Sequence, residues 1–461
     1  MISFTLKDLA ILGNYVLKGQ DMTITEVSTD SRNTKDALFV ALKGEHFDGH
    51  DFIEKALDGG ACAVLSEKPL PQHIEARTSV IYTHSTLEAY GYCGLLVRRQ
   101  CHAKIASLTG SCGKTTVKEF THAILQKCGK SLCTEGNFNN DVGVPKTLLR
   151  LDDSYDYAVI EQGASHLFDI AHTCEFVRAD TALINNVGEA HIEGFGSYDG
   201  VYKGKSEILE SVLSRGGTAV VPYDSKYYAR WESDYRSAFR MGKLFTFGTS
   251  ENSLVRISDI DDRRDGVCCT LSIKGEQFPV KLQTVGVHNA FNAAAAAALA
   301  HISGAGTEAI CEGLRGAGTL RGRLTIKEYQ GFTVIDDAYN ASFNAVIAAI
   351  NTLKLYPGKR VMIFGDMGEL GDAAVSLHRQ VGECALENID EILCVGPLTQ
   401  YTCESAARIA KHFNDSQDLV QYTRDLIARN HEICFLIKGS HAMHMDKITE
   451  ALCAIGENLK N

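Results

Sequence analysis

Seven short apolar runs, each closing on glycine or polar residues, recur along the chain: AKIASLTG (103–110), YAVIEQG (157–163), TALINNVG (181–188), FTVIDDAYN (332–340), KRVMIFGD (359–366), EILCVG (391–396) and CFLIKGS (434–440). Continuous rather than alternating hydrophobicity predicts strands buried on both faces, the parallel type, and helical patterns follow them. The chain is therefore expected to be α/β, with ligands at the strand ends where polar residues gather. The pattern changes twice. Residues 1–84 show short alternating strands and turns, a small mixed α/β region. A helix near Ser85 and the strand at Ala103 open a parallel-sheet region over 85–315, in which 216–282 reads as a β insertion with DDRRDG (261–266) as a hairpin turn. A third region takes 316–461. The uncharged stretch from Leu282 to Thr307 contains Gln283, His288, Asn289, Asn292, His301 and Ser303, so it is expected to be a packed helix, not a membrane span.

A length of 461 residues suits two to four domains. The 46 basic and 57 acidic side chains leave a net charge of −11, which repels phosphate backbones and argues against nucleic acid as a partner. Fifteen cysteines contain no CxxC pair, and only Cys268 and Cys269 adjoin. An odd, unpatterned set suits free thiols in a reducing compartment. MISFTLKDLAILGNYVLKGQ has no basic leader region, apolar run or cleavage site of a signal peptide, so a cytoplasmic location without stable membrane insertion is expected.

The sharpest local signal is SLTGSCGKTTVKEF (107–120), an apolar strand, a glycine loop and a helix whose inner face would carry Val117, Phe120, Ile124, Leu125 and Cys128. In such a loop the backbone of Gly110, Ser111, Cys112 and Gly113 can wrap a phosphate, Lys114 reaches the β/γ oxygens, Thr115 ligates Mg²⁺, and Thr116 continues the helix start. Leu108 stands where the general phosphate-loop pattern has its first glycine. Cys112, beside Lys114 and a helix N-terminus, is either a passive small residue or a thiolate that reacts with thiol reagents and is protected by ATP.

Nucleotide chemistry also asks for hard metal ligands at strand ends. Glu161 ends its strand, His191 follows the next one, and Lys205 lies 14 residues further on; each also has an ordinary reading, as a cap, a satisfied histidine or a solvated lysine. Asn137, Asn139 and Asn140 in EGNFNNDVGVPKTLL either shape a turn or hold phosphate and carboxylate oxygens. Asn289 and Asn292 either cap their helix or read a base. In the last region Arg323, Asp337, GDMGELGD (365–372) and Lys438-Gly439-Ser440 sit at strand or domain edges and would face the phosphate loop on closure.

Taken together these words resemble the Mur ligases of peptidoglycan synthesis. The resemblance is carried by TDSR (29–32), LFVALKGEHFDGHDFI (38–53), LTGSCGKTTVKE (108–119), GNFNNDVGVPKTLLRL (136–151), AHIEGFGS (190–197), KSEI (205–208), HNAFNAAAA (288–296), GRL (322–324), IDDAYNAS (335–342), GDMGELG (365–371) and KGS (438–440), in family order through all three regions. DDAYNA and GDMGELG are similar to the member that joins D-alanyl-D-alanine to a UDP-N-acetylmuramoyl-tripeptide. A sister ligase, a folylpolyglutamate synthetase-like ligase, a nucleotide-dependent switch and a kinase are the competing readings.

The resemblance implies three domains: an N-terminal one for the UDP-sugar (1–84), a central P-loop ATPase-type sheet with a β insertion (85–315), and a C-terminal Rossmann-like one that closes over ATP (316–461). It implies that Ser31, Arg32 and the loop Lys43, Gly44, Glu45, His46 and Phe47 face the uridine diphosphate. Asn137, Asn139, Asn140, Tyr339, Asn340, Lys438 and Ser440 would meet phosphate and substrate. Thr115, Glu161 and His191 would hold Mg²⁺, with Lys205 carbamylated for a second ion, and Asn289, Asn292, Arg323 and Asp337 would contact ATP. Lys114, Asn140, His191, Lys205 and Arg323 would be catalytic, through an acyl phosphate. A monomer acting on a diaminopimelate-containing tripeptide is the form expected. Relatives commonly read E-x-G-A-N-H-x-G-E-I where this chain has EQGASHLFDI, so Ser165, Phe168 and Asp169 depart, as does His441 after KGS.

Overall fold

In the computed structural model, which describes residues 1–44, 46–188 and 191–459, all seven apolar runs form strands, and three sheets carry the architecture. The first has Val16–Lys18 antiparallel to Ser79–Tyr82, followed by Ala63–Ser66, Leu38–Val40 and Val27–Ser28 in parallel. Helix α1 (Thr86–Gln100), started by the Ser85 hydroxyl accepting from the Glu88 N–H, then leads into the central sheet.

That sheet is built around β1 (Lys104–Thr109), which runs into the glycine loop and α2 (Lys114–Leu125). Next come β2 (Tyr157–Glu161), α3 (Asp169–Val177), β3 (Thr181–Ile184), α4 (Tyr198–Ser214) and α5 (Val287–Ile302). From the edge Ser131–Cys133 the order is β2, β1, β3, Thr218–Pro222 and Leu244–Gly248, all parallel. Val255–Arg263 continues in parallel, and the antiparallel strands Gly266–Ile273 and Glu276–Lys281 complete the insertion, the hairpin turning at Arg264-Asp265. Because β1, β2 and β3 share one direction, Glu161 lies level with Leu108, and Thr109 with Ile184; their polar C-terminal ends gather at one edge. One expectation fails here. Helix α2 ends at Leu125, so Cys128 lies past its last turn and is exposed, while Val117, Phe120, Ile124 and Leu125 are buried as expected.

The third sheet has Thr325–Tyr329 antiparallel to β4 (Phe332–Asp336), with β5 (Lys359–Gly365), β6 (Glu391–Val395) and β7 (Ile433–Lys438) beyond it in the spatial order β4, β7, β5, β6 and Ala410–Phe413. The first two sheets share one apolar core, in which Leu38, Leu65 and Ile81 join Leu95, Ile105, Ile160 and Phe176, bridged by α1. The third sheet has its own cores on its two faces. Among the described residues no helix is long and apolar enough to cross a membrane.

Candidate active site

A cleft of about 1710 Å³ opens where the C-terminal ends of the central strands face the third sheet. Its floor is the glycine loop. Gly113 has φ +73°, and a Cβ there would stand 2.6 Å from Asn292 Oδ1 and 2.8 Å from Asn185 Nδ2, so glycine is required. With Gly113 as N-cap and no side chain capping the helix, the N–H groups of Lys114, Thr115 and Thr116 have no intrahelical acceptor and suit an anion in the cleft these residues line. The Ser111 and Cys112 N–H groups are already engaged, donating to Asn186 O (3.1 Å) and Asn186 Oδ1 (2.9 Å).

The loop is held from behind by a chain of amides. Asn289 Nδ2 donates to Val285 O (2.7 Å), Asn292 Nδ2 to Asn289 Oδ1 (3.0 Å), and Asn185 Nδ2 to both Asn292 Oδ1 (2.9 Å) and Cys112 O (3.0 Å). Asn289 and Asn292 line the cleft, yet most of their hydrogen-bonding capacity fixes the loop. The sequence gives Asn185 and Asn186 no individual role. The signal available was an amide pair closing the buried strand TALI, at the same edge as the loop.

Lys114 Nζ donates to Gly110 O at 2.9 Å, and burial lowers its pKa against the pull of Glu161. Glu161 is buried at the end of β2: Oε1 accepts from Asn139 Nδ2 (2.8 Å), and Oε2 has no hydrogen-bond partner. A buried carboxylate oxygen with nothing to bind, lining the same cleft as the Thr115 hydroxyl, is what a hard divalent cation would complete, so the residues fit Mg²⁺. Among the described residues no three His, Cys, Asp or Glu side chains converge, so such an ion would also need hydroxyl, phosphate or modified-lysine oxygens. Lys205 is fully buried outside the cleft lining; its Nζ has no hydrogen-bond partner, and burial, reinforced by Lys114, lowers its pKa to about 7. For Cys112 the thiolate reading is reversed: desolvation raises the thiol, outweighing Lys114.

Asn140 Oδ1 accepts from Gly143 N (2.9 Å), turning the chain into the helix Gly143–Leu148, and Asn137 lines the cleft wall. The other wall comes from the third sheet. Arg323 lies over the Tyr339 ring (4.3 Å) and donates to Thr115 Oγ1 (3.0 Å). Lys438 Nζ donates to Asp337 Oδ2 (2.5 Å) and Asn340 O (3.0 Å); burial pushes the Asp337 carboxyl up while Lys438 works against it. Ser440 also lines the cleft. His191 pairs with the Glu369 carboxylate, a residue within the GDMGELGD segment whose individual role the sequence did not suggest.

The first region's candidates lie outside this cleft. Ser31 sits in a turn, and Arg32 forks onto Asp30 (2.7 and 2.9 Å) in solvent. Lys43 makes an isolated antiparallel backbone bridge with Asp48, Gly44 N donates to Phe47 O (2.9 Å), and His46 and Phe47 are exposed; Glu45 lies outside the described residues.

Comparison with known proteins places these modules together. The family descriptions "Mur ligase family, catalytic domain", "Mur ligase middle domain" and "Mur ligase, glutamate ligase domain" match residues 23–107, 108–300 and 322–441. The UDP-N-acetylmuramoyl-tripeptide–D-alanyl-D-alanine ligase of Escherichia coli strain K12 is 41% identical over 98% of this chain and 99% of its own length. That of Bacillus subtilis strain 168 is 32% identical over 98% and 99%. The crystal structure of MurF from Acinetobacter baumannii superposes with a TM-score of 0.91 at 33% identity, covering 98% and 99% of the two chains. MurF from Thermotoga maritima in complex with ADP gives 0.82 at 26% identity, covering 92% and 96%. Three α/β modules matched in order, and relatives aligned along nearly the whole chain around this cleft, lead to one conclusion: the chain belongs to the Mur ligase family.

Proposed function

We propose that this ligase joins D-alanyl-D-alanine to UDP-N-acetylmuramoyl-tripeptide at the expense of ATP, giving the pentapeptide precursor of peptidoglycan. The observation that carries this reading is the convergence on one cleft of the phosphate loop, the unpartnered Glu161 oxygen and Arg323 from the third sheet. The named relatives in E. coli and B. subtilis support the substrate pair. A relative in A. baumannii whose name specifies 2,6-diaminopimelate, 32% identical, supports that residue in the tripeptide.

In this reading residues 1–84 hold the UDP-sugar, with Ser31, Arg32 and the 43–47 loop around the diphosphate. Residues 85–315 hold ATP, and 316–461 close over it. The N–H groups of Lys114 to Thr116 and the Lys114 ammonium receive the β- and γ-phosphates. Arg323 passes from Thr115 Oγ1 to the γ-phosphate as charge develops there. Asn289, Asn292 and Asp337 border the nucleoside, while Asn137, Asn139, Asn140, Tyr339, Asn340, Lys438 and Ser440 border the acceptor side. The tripeptide carboxylate attacks the γ-phosphorus, ADP leaves, and the amine of D-alanyl-D-alanine displaces phosphate from the acyl phosphate. Third-domain closure keeps water from that intermediate.

Mg²⁺, held by Thr115, Glu161 and His191, would supply charge neutralisation at the phosphates. Lys205, whose burial favours the neutral amine, condenses with CO₂, releasing a proton, and so presents carbamate oxygens instead of a cation. The chain works as a monomer in the cytoplasm, the compartment its fifteen free cysteines suit.

The test is an ADP-release assay with product mass. ADP formation should require both UDP-N-acetylmuramoyl-tripeptide and D-alanyl-D-alanine, and the product should gain one dipeptide less one water. Turnover indifferent to the acceptors would make the chain a nucleotide switch, and a released phosphorylated tripeptide would make it a kinase.

A further inference from the structure

At the edge of the central sheet opposite the cleft, where β1 and β3 begin, lies a second depression of about 750 Å³. Its charge is inverted relative to the chain as a whole: Arg98, Arg99, Lys104, Arg178 and Arg215 line it against a single carboxylate, Asp180.

Part of this charge has a structural use. Helices α1, α3, α4 and α5 end here, each bringing about half a negative elementary charge. Arg98 donates to Val177 O (3.2 Å), Arg178 O (3.1 Å) and Asp180 Oδ2 (3.0 Å), and Lys104 Nζ to Ile302 O (3.5 Å). Asp180 Oδ2 also accepts from the Ile105 N–H at 2.7 Å. The remaining three arginines are different. Arg99, Arg178 and Arg215 are exposed and have no carboxylate ion-pair partner among the described residues; Arg215 donates to Ser211 Oγ at 2.5 Å and stands within electrostatic reach of Arg98 and Arg178, with Asp180 opposing them. With four helix ends contributing about −2 together, five cations and one carboxylate leave roughly two positive charges unbalanced.

We propose that this depression is an anion site for a small molecule bearing a phosphate or diphosphate group, separate from the nucleotide cleft. Two uncompensated charges match a phosphate carrying nearly two negative ones, arginine forks suit its oxygens, and the volume leaves room for more than the phosphate itself. Strands β1 and β3 start at this site and end at the phosphate loop and its Asn185-Asn186 latch, so an occupant would sit at the far end of the same rigid elements.

The test titrates the full chain with inorganic pyrophosphate by calorimetry while excess ADP fills the phosphate loop and excess UDP the diphosphate site proposed for the first region. One further pyrophosphate per chain is expected, weakening as salt rises. The double variant Arg99→Gln/Arg178→Gln and, separately, Arg215→Gln should each weaken it at least tenfold with ADP affinity unchanged. These side chains are exposed, so the variants should fold, and the ADP titration checks that they have. No uptake when ADP and UDP are bound, or uptake undiminished in both variants, would overturn the proposal.

Discussion

Glu161 shows how much of the site rests on single side chains. One of its oxygens is held by Asn139 and the other has no partner, an arrangement that costs about 1–3 kcal/mol in a buried carboxylate unless a cation completes it. Glu161→Gln is therefore expected to raise the stability of the metal-free chain by about 1 kcal/mol. It should also abolish the extra thermal stabilisation that Mg²⁺ adds to ADP, and lower ligase activity by two orders of magnitude or more; thermal melts with and without Mg²⁺ check the first two effects. His288 gives a pH signature. Burial, with Lys438 adding to it and Asp262 opposing, lowers its pKa from 6.5 to about 4, so it is neutral in the fold while the unfolded chain takes up a proton. Its contribution is full above pH 6.5 and falls away as pH drops towards 4, a loss of about 3 kcal/mol; His288→Gln should flatten that slope in urea titrations between pH 7 and 4. At this scale the sequence was legible only in part. The glycine loop fixes where Lys114 and Thr115 lie and a strand end where Glu161 lies, although for Glu161 the sequence leaves a cap equally open. The amide chain through Asn185, Asn289 and Asn292 was not legible, because its partners lie over 100 residues apart and an asparagine suits a turn, a cap or a ligand equally well.

Among the elements, α3 has the least ordinary start. Phe168 has φ +73° and is 73% exposed, a left-handed conformation that costs a bulky residue about 1–2 kcal/mol. The turn is held by Glu207 from α4, whose carboxylate accepts from the Phe168 and Ala171 N–H groups at 2.7 and 2.9 Å. Phe168→Gly should relieve the strain and raise stability by up to about 1 kcal/mol, since so exposed a ring forfeits little burial. Glu207→Ala should lower stability by about 1–2 kcal/mol by freeing the helix start. Chemical denaturation of both variants checks the pair, and a change of the same sign in both would contradict this account. The strands themselves were the most legible level. Parallel strands buried on both faces must be apolar throughout, so β1 to β7 stand out as uninterrupted runs, whereas α3's start depends on a carboxylate from another helix.

Across the whole molecule, the third sheet meets the central one through polar contacts, Arg323 on Thr115 and Glu369 on His191, with Val285 packed into its core. Such pairs contribute about 1 kcal/mol or less each, an amount that shifts an open–closed balance roughly fivefold without locking it. Glu369→Ala is expected to enlarge the nucleotide-free chain in small-angle scattering, and ADP with Mg²⁺ to restore most of the compaction. The sequence suggests that Arg323 and the 365–372 segment face the phosphate loop, but not the individual pairs, because these join loops that are ordinary turns within their own modules. The first interface is of another kind. Helix α1 threads the N-terminal and central sheets into one shared core, with Leu38, Leu65 and Ile81 against Leu95, Ile105 and Phe176. Three modules are therefore expected to behave as two mechanical bodies: the N-terminal and central sheets should melt together as one cooperative block, leaving a joint near residues 316–323 at which the chain should bend and be cut by a protease.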